Sequence, residues 1–229
     1  MDSKQAVTWL AAGLLINLAF GAGEAVAAFL TVYSSIIRLA IMGAGAPGVG
    51  EVIQLLNEVL VMAIIGIAVS IATAVTQYIG FAGLSRFSSR YSIGKVGAVL
   101  GPVGSLVALP GLYLLINAVK ELAINNQVQP TTPTLAIQPQ PATILSALIP
   151  ALILALVGGA VSLVGLVMIA IGYYRLGEEH GSDLVRVGAI LYILVLIPYA
   201  GPVLSLIGFI LLIVGVLEVR RRLAAPSGG

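Results

Sequence analysis

The sequence predicts an all-α, polytopic integral membrane protein. It is expected to be a helical bundle of about five to six membrane segments, with a two-fold parallel internal repeat and a Pro-broken last segment. Three observations carry this. Apolar residues make up 59% of the chain and charged residues only 9%, whereas soluble domains carry roughly 25% charged. The charges gather at the ends of long apolar runs, where a membrane surface lets them keep their water. Helix is the expected state of those runs, because an open strand leaves backbone groups unsatisfied in lipid.

The first apolar stretch, residues 6–42, follows Met1, Asp2, Ser3 and Lys4. A small-residue site at Gly21-Ala22-Gly23 imitates a signal cleavage site, but the apolar run continues well past it. It is therefore expected to be a retained first span. A straight helix over 6–42 would be about 55 Å long, so tilt or a kink at Gly21–Gly23 is expected. With the uncharged Gly/Pro loop Gly43–Gly50 it forms an N-terminal portion, residues 1–50.

Residues 51–122 read as a helix, a basic loop and a helix. Glu51, Gln54 and Glu58 share one face at helical spacing, which suggests a wet entry turn. Apolar stretches 57–84 and 94–118 each reach the roughly 20 residues needed to span hydrocarbon. Residues 123–141 form an uncharged Pro/Gln/Thr linker, expected to be extended or disordered. Residues 142–222 then repeat the pattern as a helix, a mixed-charge loop and a broken helix; residues 223–229 read as a disordered tail. The apolar stretches of this second copy are 142–174, with Pro150 and Gly158-Gly159 as places to bend, and 187–218. In the latter, Pro198, Gly201 and Pro202 fall within a few residues, and each proline lacks the N–H the helix needs. Two half-helices are expected there. Gly101-Pro102 and Pro110-Gly111 form a weaker counterpart in the first copy.

The repeat rests on matched residues. Ile79-Gly80, a loop and Lys95-Val96-Gly97-Ala98 match Ile171-Gly172, a loop and Arg186-Val187-Gly188-Ala189. Further on, Gly111 to Ile116 with Glu121 matches Gly208 to Ile213 with Glu218. Arg86, Arg90 and Lys95 in one loop and Arg175 and Arg186 in the other place both loops in the cytoplasm by the positive-inside rule, together with the N-terminus. Arg220, Arg221 and Arg222 conflict with five simple crossings. A fold-back at Pro198–Pro202 returns them to the same side.

Glu24 is the sharpest chemical candidate. It lies mid-way along the first apolar stretch, where a charge costs at least about 2.5–3.5 kcal/mol. Gly13, Asn17, Gly21 and Glu24 form one helix stripe on which Asn17 can hydrogen-bond to a neighbour. Glu24 and Asn17 are thus a candidate intramembrane polar site, set against a packing role for a protonated or paired Glu24. Arg86, Arg90 and Lys95, with Phe87 and Tyr91, are candidate contacts for lipid headgroups, or simply interfacial anchors. Glu179, His180 and Asp183 form a weak metal-like group in a loop better explained by Arg175–Glu179 and Asp183–Arg186 pairs.

Absences narrow the classes. There is no cysteine, no phosphate-binding glycine loop, no His-Glu-x-x-His and no Gly-x-Ser-x-Gly. No catalytic residue, metal ligand or cofactor is expected, and the chain is read as a non-enzyme. The net charge of +2 is too small and scattered for nucleic acid. The expected partners are the lipid bilayer and further subunits, identical or different.

Tyr174-Arg175-Leu176-Gly177, then Leu184-Val185-Arg186-Val187-Gly188-Ala189-Ile190-Leu191, a Pro-containing break and Ile207 to Gly215 resemble a multi-spanning membrane family known only as domain of unknown function 973. The Pro/Gln/Thr linker and Gly83-Leu84-Ser85-Arg86 share the resemblance, which covers roughly residues 55–222. It implies an archaeal cell membrane and supplies no activity. The expected function is structural or accessory, within a membrane complex. The alternative is a small transporter or channel using Glu24, with Asn17 and Asn117.

Overall fold

The computed structural model describes residues 1–20, 49–127, 141–196 and 201–225. They are helical almost throughout. The described part of the first helix, α1, is residues 3–20. Helix α2 is Val49–Leu84, α3 is Ser92–Gln127, α4 is Pro141–Glu179, α5 is Asp183–Ile193 and α6 is Gly201–Ala224. Single 3₁₀ turns, Ser89–Tyr91 and Leu194–Leu196, precede α3 and follow α5. Among the described residues, four segments are long and apolar enough to cross a membrane: Ile53–Leu84, Ser89–Glu121, Leu148–Glu179 and Val203–Ala224.

The helices run further than the apolar stretches alone indicate. Helix α2 already includes Val49 and Gly50, and α3 continues to Gln127 into the Pro/Gln/Thr linker. The remainder of that linker, residues 128–140, lies outside the described residues. Pro102 and Pro110 do not interrupt α3, nor does Pro150 interrupt α4. Each is an isolated proline, and a long apolar helix absorbs one lost N–H at a time. Pro198 and the rest of residues 197–200 lie outside the described residues; on either side of them stand the turn Leu194–Leu196 and α6, which begins at Gly201.

The chain divides into two compact units, each drawing on both halves of the sequence. The first takes Met1–Phe20, Ala68–Val103 and Ala160–Gly229; the second takes Gly21–Ile67 and Gly104–Gly159.

In the first unit, α1 runs antiparallel to the last part of α2. Leu10 lies against Gly80, Ala6 against Gly83, and Gly13 against Thr73, Thr76 and Gln77. The core contains Phe81, Tyr91, Tyr173, Leu176, Val185, Leu212 and Val216. Phe81 meets Tyr173 edge-on, with ring centroids 5.3 Å apart. Its ring is admitted by two glycines: a Cβ on Gly94 or on Gly172 would stand 2.8 Å from a Phe81 ring carbon. Between helices in lipid, such small residues allow the close approach that dispersion attraction requires.

Helices α5 and α6 form an antiparallel hairpin in the same unit. Gly188 carries no side chain because a Cβ there would lie 2.8 Å from the Gly208 oxygen and 2.8 Å from the Leu212 nitrogen. Tyr192 stacks tilted on Phe209 at 5.8 Å, and Ser205 Oγ donates to the Tyr192 carbonyl at 3.3 Å. The expected fold-back of the last segment is therefore present.

In the second unit, the later part of α3 packs on the early part of α4 by the same device. A Cβ on Gly158 would lie 2.5 Å from the Gly104 oxygen, and one on Gly111 2.6 Å from the Ala151 oxygen. On the unit's polar surface, Lys120 Nζ donates to Asn57 Oδ1 at 2.6 Å and Gln54 Nε2 donates to Glu58 Oε1 at 3.1 Å.

Candidate functional site

Two groupings of polar side chains stand out, both in the first unit. The first is a seam between α1 and α2. Thr73, Thr76 and Gln77 are at least nine-tenths buried. Their spacing puts them on one face of α2, opposite Gly13, and the bare glycine leaves room for them. Thr76 Oγ1 donates to the Thr73 carbonyl at 2.7 Å, and Gln77 Nε2 donates to Tyr173 Oη at 3.4 Å. The Thr73 hydroxyl is buried with no hydrogen-bond partner among the described residues. Asn17, one turn beyond Gly13, is half-buried. Glu24 falls outside the described residues.

Sequence reasoning reached Gly13 and Asn17 but not the facing residues. The signal was present. Thr73-Ala74-Val75-Thr76-Gln77 places three polar groups at i, i+3 and i+4 within an otherwise apolar run.

The second grouping is the charged end of the unit. Loop 85–91 is joined directly to the last part of α4, just before the α4–α5 loop, because Arg175 Nη1 donates to the Arg90 carbonyl at 2.8 Å. The expected Arg175–Glu179 pair is not among the ion pairs of the described residues; the guanidinium reaches the neighbouring loop instead. Asp183 does pair with Arg186, at 3.3 Å. Arg186 also lies over the Tyr174 ring, 5.7 Å from its centroid. Tyr174 first, then Asp183, push the Arg186 guanidinium above its ordinary pKa.

The α4–α5 loop has a definite geometry. Gly181 adopts φ +61°, a left-handed conformation that suits glycine, and Ser182 N–H reaches back to the Gly177 carbonyl at 2.9 Å. This is the glycine-terminated helix end that closes off orphan carbonyls. His180 Nδ1 lies 3.1 Å from the Leu176 carbonyl. Among the described residues no group of three or more metal-ligating side chains comes together.

The C-terminal arginines arrive at the same end. Arg222 donates to the His180 and Gly181 carbonyls at 3.4 Å and pairs with Glu218 at 2.5 Å. Met1 packs on Gly83, so the N-terminus lies there too. At this end basic side chains outnumber acidic ones: Lys4, Arg86, Arg90, Lys95, Arg175, Arg186 and Arg220–Arg222 against Asp2, Glu178, Glu179, Asp183 and Glu218.

Of the candidate headgroup contacts, Arg86 and Arg90 are exposed and Lys95 is half-buried. Phe87 is exposed beside them, as an interfacial aromatic would be. Tyr91 differs from expectation. The 3₁₀ turn Ser89–Tyr91 carries it into the core, where it is 1% exposed. Its hydroxyl lies near the Glu179 carboxylate without a completed hydrogen bond.

No curated protein and no solved structure matches the chain. A family model, described as protein of unknown function (DUF973), matches residues 3–227. Nearly the whole chain falls within that match, and the chain belongs to the DUF973 family.

Proposed function

We propose that the protein is a structural or accessory component of the cell membrane, multi-pass and non-catalytic, acting as a subunit of a homo-oligomer or a larger membrane complex. The observation that carries this reading is how the polar side chains are used. Gln77 to Tyr173, Ser162 to Gly101, Ser205 to Tyr192, Arg175 to Arg90 and Arg222 to His180 all join one helix or loop to another. Polar groups used this way hold helices in register. The extensive apolar surface of the spans is available for lipid or for further subunits.

In this reading the charged end, with the N-terminus, residues 85–95, residues 175–186 and the tail, faces the cytoplasm, because it gathers the Lys and Arg. Arg86, Arg90 and Lys95 meet anionic headgroups there. The chain is read as two parallel copies of a helix–loop–helix unit in an archaeal membrane, the second copy carrying the Pro-broken last segment. The test is gentle solubilisation followed by native mass measurement. Stoichiometric subunits, identical or different, are expected; a lone monomer across several mild detergents would overturn the reading.

A second reading is favoured by one observation, the buried seam of Thr73, Thr76 and Gln77 beside Gly13 and Asn17. It makes the chain a small transporter or channel whose path passes Asn17 and Glu24. Proteoliposomes loaded with a pH-sensitive dye test the proton case. An imposed gradient should collapse faster with the native chain than with Glu24→Gln, and equal rates would sink it.

A further inference from the structure

The outer side of the α5–α6 hairpin carries a groove of about 400 Å³ lined by Leu184, Val214, Leu217, Glu218 and Arg221. Its floor continues an apolar strip along α6. Val203, Ile207, Ile210 and Val214 are all exposed, and their spacing of four, three and four residues keeps them on one face. Leu217 and Arg221 extend the same spacing. From Val203 to Arg221 the strip rises about 27 Å, more than half of the roughly 30 Å hydrocarbon thickness. One side of the groove's mouth is charged. Glu218 is tied to Arg222, whereas the Arg221 side chain is exposed and no ion pair or side-chain hydrogen bond holds it among the described residues.

We propose that this groove is a binding site for an anionic phospholipid, with an acyl chain along the α6 strip between Leu184 and Leu217 and the phosphate on Arg221. The proposal rests on the chain lying in a bilayer, and it concerns a place distinct from Arg86, Arg90 and Lys95. Two features select an anionic lipid. The apolar strip offers an acyl chain contact along its length. The free cation stands where the strip meets the water, which is the depth of a headgroup, and the neighbouring carboxylate is already neutralised. A zwitterionic lipid gains less, because its own ammonium opposes Arg221. A chainless anion gains only the charge.

The test is lipid retention measured by native mass spectrometry of the full chain in mild detergent. Phosphatidylglycerol and phosphatidylcholine of identical chains are added in turn. The native protein should retain phosphatidylglycerol preferentially. Arg221→Gln should weaken that retention about fivefold, the worth of one interfacial cation. Arg220→Gln removes the same charge from outside the groove lining and should leave retention nearly unchanged. Val214→Trp, which fills the groove and keeps Arg221, should also reduce retention, and an unchanged melting temperature would show that it folds. Equal losses in Arg220→Gln and Arg221→Gln would reduce the effect to diffuse charge and overturn the proposal. So would equal retention of phosphatidylcholine, or displacement of the lipid by glycerol phosphate at comparable concentration.

Discussion

The Arg175 guanidinium donates to the Arg90 backbone carbonyl at 2.8 Å, although the two residues are 85 positions apart. Arg90 belongs to the connection between α2 and α3, and Arg175 to the last part of α4. The contact ties the first loop, 85–91, to the end of α4 beside the second, α4–α5 loop, and Arg222 binds that second loop to the end of α6.

Arg175→Ala should therefore loosen the first loop more than the second, because the second retains its Gly181 turn. The bond is solvent-exposed, so a stability loss of about 1 kcal/mol is expected. Limited trypsin digestion in micelles should cut faster after Arg86 or Arg90 in the variant. Unchanged cleavage rates would show that the first loop holds itself.

The natural absence of cysteine allows a direct test of the hairpin. Single cysteines at Ser89, Glu178 and Ala225 should react with a membrane-impermeant maleimide from one and the same side of the membrane. Labelling of Ala225→Cys from the side opposite to Ser89→Cys would mean that α5 and α6 do not fold back on each other in the bilayer.

Gly188→Leu should disrupt that hairpin. The new side chain meets the Gly208 carbonyl and the Leu212 backbone, neither of which can swing aside as a flexible side chain would. Overpacking of this kind costs about 1–3 kcal/mol or more. A lower melting temperature in detergent is expected, while Gly159→Leu, with open space beside it, should have little effect.

The α1–α2 seam separates two kinds of polar group. Thr73→Val replaces an unpartnered buried hydroxyl by a methyl of similar size and should be neutral or stabilising by up to about 1 kcal/mol. Gln77→Leu removes the donor to Tyr173 and should cost about 1 kcal/mol. Thermal unfolding of both variants in the same detergent compares them. A large loss for Thr73→Val would reveal a role for the hydroxyl beyond packing.

Helix class and the broken last segment were legible from the sequence because both depend on local chemistry. Apolar runs must be helical in lipid, and Pro198, Gly201 and Pro202 together exceed what one helix absorbs. The behaviour of Pro102, Pro110 and Pro150 was less legible, since an isolated proline either bends a helix or is carried within it. Long-range partners were hardly legible at all. Nothing near Arg175 in the sequence points to Arg90, and nothing near Tyr91 distinguishes an interfacial ring from a buried one. The seam residues Thr73, Thr76 and Gln77 were readable by spacing. Their significance emerged only once Gly13 was seen across from them.

The span-forming parts of α2 and α4 each comprise 32 residues, about 48 Å of helix. A hydrocarbon layer of about 30 Å would accept that length wholly by tilt only at about 50°, beyond the range of 0–40° seen for membrane helices. Part of each must emerge into the headgroup region or thicken the lipid around it. Such lengths give a testable consequence: the protein should partition towards thicker membrane regions, and its helix angles should respond to the chain length of the surrounding lipid.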